Sequence, residues 1–171
     1  MGTNGAAREL QEWMEKLKKS KTNEADLSRD EDLSIAIMNL ISLEEHFYFT
    51  AMKTGNGSYL ELLDEVRKKR IQFLKKIVRD PKGEEWCISK HLLAASMRLF
   101  EVGTKELSVK GKDAAMPFFQ SGFDLWSMFF CINLGMIEAK DMNQEALQKE
   151  HTRTGKLSEM MKNIINCCKE W

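Results

Sequence analysis

The sequence is short of the residues that interrupt helices. Only two prolines, Pro81 and Pro117, occur in 171 residues, and Leu, Met, Lys, Glu and Ala are plentiful, so long helices are favoured. Net charge is also lacking: 26 Lys and Arg balance 26 Asp and Glu. That balance argues against a general nucleic-acid or membrane binder, and it removes an electrostatic barrier to self-association. No long uninterrupted apolar run occurs, so neither a signal peptide nor a membrane span is expected. The four cysteines (Cys87, Cys131, Cys167 and Cys168) show no C-x-x-C spacing. They read as reduced thiols of a soluble cytoplasmic protein.

Several chemical signatures are missing as well. There is no Gly-rich phosphate loop, no nucleophile elbow and no His-Glu-x-x-His. The residues three before His46, His91 and His151 are Leu43, Ile88 and Gln148. The Glu-x-x-His pairs of di-iron carboxylate bundles are therefore absent. No cofactor is expected, and the sequence leans away from catalysis.

What is present is helical periodicity. Residues 8–19 place Leu10, Trp13, Met14 and Leu17 on one face. A polar linker over 20–30 leads to a helix capped by Asp30 or Asp32 and ended by "GNGS" at 55–58. A second helix spans about 58–79. Asp80 is placed to cap a third, with Pro81 at its first position, running from about 82 to 109. A turn at "KGKD" follows. Pro117 belongs in a first helical turn, so the fourth helix is expected to start near it and reach about Leu134. A last helix follows Asp141, and its stripe is Leu157, Met160, Met161, Ile164, Cys168 and Trp171. No segment alternates with period two for long enough to be a strand. The expectation is an all-α, up-down bundle of four core helices with additional N- and C-terminal helices. Residues 1–29 form a tail and linker, and 30–171 a single domain.

Helical phase then places the polar side chains. In "ISLEEHFYF", residues 41–49, two carboxylates and a histidine interrupt an apolar run. Leu33, Ala36, Ile37, Leu40, Leu43, Phe47 and Ala51 share one face, with Glu44 near its middle, while His46 falls opposite and Glu45 at the edge. The next helix carries Tyr59, Leu63, Val66, Phe73, Leu74 and Ile77 on its apolar face, together with Arg67 and Arg70. A short connection makes the two helices antiparallel and level at these residues. An inward Glu–Arg fork follows, because a buried carboxylate needs a partner.

Three candidate sites emerge. Glu44, Arg67, Arg70 and His91 are the candidate ligand-binding set. Glu84, Cys87 and His91 line one stripe of the third helix, where carboxylate, thiolate and imidazole are metal-ligating types. Lys68, Lys69, Lys75, Lys76 and Arg79 form an outer basic face that could meet phosphate. On the third helix Ala95, Ser96, Leu99 and Gly103 are mostly small and would admit a close neighbour. Trp126 with Phe119, Phe123, Phe129 and Phe130 reads as core. The favoured function is a non-catalytic interaction or oligomeric module, a homodimer or a binder of a protein partner. The alternatives are a ligand-binding protein or enzyme built on the inward polar set, and a nucleic-acid binder.

Overall fold

The computed structural model describes residues 24–136 together with Glu15, Ser158, Met161 and Lys162. Among these residues the protein is all-α: helices α1 (Glu24–Thr54), α2 (Ser58–Ile77), α3 (Glu85–Lys110) and α4 (Lys112–Asn133) follow one another without a strand. Apart from Glu15, the helix expected over 8–19 lies outside the described residues, as does most of the stripe expected after Asp141.

Glycine sets two of the helix ends. Gly55 adopts φ +69°, and its N–H returns to the Ala51 carbonyl at 2.8 Å, which closes α1 where "GNGS" predicts. Gly135, at φ +68°, closes α4. Its N–H reaches Ile132 O at 3.0 Å, while Met136 N–H reaches Cys131 O at 2.8 Å. This crossed pair of bonds satisfies carbonyls that would otherwise be left bare at the helix end.

Three boundaries differ from expectation. Helix α1 begins at Glu24, so the cap positions expected at Asp30 or Asp32 fall inside it. Leu27 explains the early start, since it is buried in the core and repays the ordering of that first turn. Asp80 does not cap α3. It takes a left-handed φ of 50°, and α3 starts only at Glu85, whose carboxylate instead accepts the Lys82 N–H at 2.8 Å. Helix α4 begins at Lys112, which places Pro117 in its second turn. The missing N–H costs one helical bond there. Pro117 and the carbonyl-bearing Asp113 are both exposed, so water can serve the freed carbonyl.

The helices pack as two antiparallel hairpins. Glu44 and Phe47 of α1 meet Arg70 and Tyr59 of α2. Along the second hairpin Ser89, Ser96 and Phe100 of α3 meet Asn133, Gly122 and Phe119 of α4. The second pair is the closer, for the reason the small residues suggest. Gly122 leaves little room for a side chain, because a Cβ there would sit 3.2 Å from the Ser96 carbonyl oxygen. A Cβ on Gly103 would come within 2.6 Å of the Phe119 ring. Ser96 and Gly103 are buried as expected, but Ala95 is exposed.

Most of the core lies at the end of the hairpins away from their turns. It joins Leu27, Ile37, Met38 and Ile41 of α1 to Leu74, Ile77 and Val78, to Leu92 and Leu93, and to Trp126 and 128–132 of α4. The aromatic reading of α4 holds: Phe129 and Phe130 are fully buried, and Trp126 meets Phe130 edge-on at 4.9 Å. Met161 also enters this core, and Ser158 hydrogen-bonds the Asp124 carboxylate. The buried face of α1 is rotated from the expected one. Ala36 and Leu43 are exposed, whereas Ser34, Met38 and Ile41 are buried. Helix α1 touches all three other helices, so no single wheel describes its whole length.

Candidate functional site

The polar residues of "ISLEEHFYF" are divided among the neighbours of α1. Arg70 projects from the inner face of α2 and is 3% exposed. Its Nε donates to Glu44 Oε1 at 2.9 Å and its Nη2 to Oε2 at 3.2 Å. This is a fork-to-fork pair in which both carboxylate oxygens are engaged. On the α3 side, Arg98 donates to Ser42 Oγ at 2.6 Å and lies 3.6 Å from Glu45 Oε2. One turn of α1 thus receives an arginine from each of two helices. His46 is exposed. The Glu44–Arg70 fork is legible from helical phase. The Arg98 contact is not, because it depends on how α3 crosses α1.

The rest of the candidate ligand set does not assemble. Arg67 is exposed rather than inward. It stands three residues before Arg70, which on a helix is a rotation of about 60°, enough to leave the groove between α1 and α2. His91 is exposed on α3 and makes no hydrogen bond to the fork. Glu84, Cys87 and His91 are all exposed, and Glu84 precedes the first residue of α3. Because α3 starts at Glu85 and not near 82, the expected stripe loses its first member. Among the described residues, no group of three His, Cys, Asp or Glu side chains is placed to hold a metal ion.

The basic face stands where phase puts it: Lys68, Lys69, Lys75, Lys76 and Arg79 are exposed. Lys68 is bridged within its own helix to Asp64 at 2.8 Å and Glu65 at 2.7 Å. Hydrogen bonds to these two carboxylates hold its pKa above the ordinary lysine value. Arg79 Nε donates to the Lys76 carbonyl at 3.0 Å, which keeps the guanidinium beside the last turn of α2.

The buried hydroxyls are committed to structural bonds. Ser34 donates to Glu31 O at 2.6 Å and accepts from Trp126 Nε1 at 2.9 Å. Ser96 donates to Gly122 O at 2.7 Å, and Ser127 to Phe123 O at 2.8 Å. Ser89 accepts from Asn133 Nδ2 at 3.1 Å. None of these serines is paired with a histidine, as a serine nucleophile would be. Cys131 is buried, and loss of hydration pushes its thiol up to about 12, which keeps it protonated and inert at neutral pH. A cleft lined by Leu27, Asp30, Ile77, Arg79, Phe130, Asn133 and Leu134 encloses about 70 Å³. Ligand pockets are ordinarily several hundred Å³. Sequence reasoning missed the Ser34–Trp126 pair. Its only cue is a serine lying in step with Leu27, Ile37, Met38 and Ile41.

No protein-family profile, curated protein or solved structure matches this chain. Among the described residues no helix is long and apolar enough to cross a membrane.

Proposed function

We propose that this chain is a non-catalytic interaction module that works as a homodimer. In this reading the four helices form an up-down bundle, extended at its ends by the amphipathic segments around Trp13 and Trp171, in a soluble protein of the cytoplasm. One observation carries the proposal. Large apolar side chains are exposed near the α1–α2 turn, far from the core: Phe49 is 65% exposed and Met52 58%, and Tyr48, Leu60 and Leu62 join them. Exposed apolar surface is costly in water, at roughly 25 cal/mol per Å². Where it gathers on a soluble protein it marks a surface for another protein. The absence of net charge favours a second copy as that protein. The closed Glu44–Arg70 fork and the hydrogen bonds made by Ser34, Ser96 and Ser127 weigh against catalysis, since these interior groups already have partners.

Equilibrium sedimentation of the full chain at micromolar concentration tests the reading. A dimer mass in dilute buffer is expected. A monomer mass at every concentration and ionic strength would overturn it.

A further inference from the structure

The outward face of α2 changes sign along its length. Its first half presents Glu61, Asp64 and Glu65; its second half presents Lys75, Lys76 and, just past the helix end, Arg79. All six are exposed. The two halves are joined by Lys68 and Gln72 on the same stripe. At 100° per residue, Glu61 falls near the centre line of that stripe, while Arg79 lies beyond the last helical residue, Ile77. Asp64 and Lys75 fall on one flank, and Glu65 and Lys76 on the other. Among the described residues no carboxylate pairs with Lys75, Lys76 or Arg79, and Arg79 spends one donor on the Lys76 carbonyl.

Such a face is complementary to itself when reversed. We infer that the outward face of α2 is a docking surface for a second copy of this chain, laid antiparallel across it about a two-fold axis level with Arg70. The inference rests on the self-association proposed above, and of the apolar side chains named there it involves only Leu60 and Leu62. With the axis at that level, Glu61 of one copy stands near the C-terminal end of the partner helix, where the Lys76 carbonyl holds the Arg79 guanidinium. In an antiparallel helix pair, side chains of the same flank meet. Asp64 therefore faces Lys75 and Glu65 faces Lys76, each pair offset along the axis by one residue, about 1.5 Å. Lys68, bridged to Asp64 and Glu65 of its own helix, lies opposite the neutral Gln72, and Lys69 lies at the edge of the stripe. The two-fold repeats every contact, as isologous interfaces do. A parallel arrangement would instead set acid on acid and base on base, so the charges select the orientation. Antiparallel alignment also brings opposite helix-dipole ends together.

Apolar contact is available beside the charges. Leu60 and Leu62, 44% and 48% exposed, flank the acidic half. In the antiparallel pair they lie near the aliphatic stems of Lys75, Lys76 and Arg79. The helical stretch symmetric about Arg70, from residue 63 to residue 77, is about 21 Å long at 1.5 Å per residue. Exposed ion pairs are individually weak and are screened by salt, so the dimer is weak and sensitive to ionic strength. The same bases could instead attract phosphate. Nothing in that alternative gives the acidic half a part to play, and the acids would repel a nucleic-acid backbone.

Complementary charge reversal of the full chain is the test. One variant carries Lys75→Glu, Lys76→Glu and Arg79→Glu, which leaves the face acidic at both ends. The other carries Glu61→Lys, Asp64→Lys and Glu65→Lys, which makes it wholly basic. Each is checked for wild-type helicity and thermal unfolding, then sedimented alone and as an equimolar mixture. The wild type is expected to dimerise at least about tenfold more weakly in about 0.5 M than in about 0.05 M salt. Each variant alone is expected to sediment as a monomer, and the mixture to form a heterodimer tighter than the wild-type homodimer. Dimerisation of either variant alone as tightly as wild type would overturn the inference and leave the module reading standing. So would a mixture that stays monomeric while both variants are folded, or nucleic-acid binding by the basic variant with no pairing to the acidic one. A wild type that is monomeric under all conditions would remove both.

Discussion

Trp126 of α4 donates its indole N–H to Ser34 Oγ of α1 at 2.9 Å, joining residues 92 positions apart, and both side chains are buried. Ser34 donates in turn to the Glu31 carbonyl at 2.6 Å. The bond therefore links the two hairpins through a group that has no access to water. Ser34→Ala leaves the Trp126 N–H without an acceptor in the interior. The expected loss is about 1–3 kcal/mol of stability, read from the midpoint of a urea melt at unchanged slope. Adding Trp126→Phe to Ser34→Ala should cost less than the two single losses combined, because the orphaned donor is then gone. Strict additivity of the two changes would mean that the bond does not form in solution.

The Glu44–Arg70 fork predicts a sharp contrast between neighbouring arginines. Glu44→Ala leaves an almost fully buried guanidinium without its carboxylate, and the expected cost is about 3 kcal/mol or more. Arg67→Ala, three residues away but exposed, should move stability by no more than about 0.5 kcal/mol. Replacing both partners, as Glu44→Leu with Arg70→Met, should recover most of the loss, since well-packed apolar pairs can substitute for buried ions. Equal effects of Glu44→Ala and Arg67→Ala in denaturant melts would contradict the buried fork.

Gly103 tests the close approach of α3 to α4. Alanine is the better helix former by about 1 kcal/mol, so on an open helix Gly103→Ala would stabilise. Here the added Cβ would lie 2.6 Å from Phe119 Cε1, and the ring would have to move. Overpacking of this kind costs about 1–3 kcal/mol, so the net sign is destabilising or neutral. Trimming the ring with Phe119→Leu should turn the same glycine substitution favourable. A stabilising Gly103→Ala in the otherwise wild-type chain, measured by thermal melting, would show that the hairpin is looser than described.

These contrasts mark what the sequence discloses. Helix number and type over residues 24–136 follow from periodicity and from the scarcity of proline. The glycine stop at Gly55 follows from the left-handed turn that ends a helix. The Glu44–Arg70 fork follows because both residues sit on apolar faces of helices joined by a short turn, so geometry leaves them one partner. Arg67 escapes because a wheel does not resolve the rim of a groove from its floor. The start of α1 at Glu24 is hidden by a polar stretch in which Leu27 is the main apolar contact with the core. Pro117 misleads because a proline in an exposed second turn surrenders a bond that water can replace. Ser34 and Trp126, and Arg98 with Ser42, are contacts between distant segments. They depend on how hairpins cross, and local periodicity carries no record of that.

Cys131 offers a chemical readout of the same core. The side chain is completely buried near the C-terminal end of α4, and burial raises its thiol from an ordinary value of 9.0 to about 12. Cys87 on α3 is exposed. In a background carrying Cys167→Ser and Cys168→Ser, a thiol reagent at pH 8 should modify Cys87 rapidly in the native protein and Cys131 only as the molecule opens. The pH dependence has a definite sign. Above about pH 9 the unfolded chain gives up this proton while the folded chain keeps it, so the unfolded state binds fewer protons. The contribution of Cys131 therefore lowers stability as pH rises from 9.0 towards about 12. Comparing melts of this protein with those of the same protein carrying Cys131→Ala isolates that contribution from the lysines and tyrosines that titrate in the same range. Native-state modification of Cys131 as fast as that of Cys87, or an identical alkaline decline in the two proteins, would place the thiol at the surface and break the proposed core at α4.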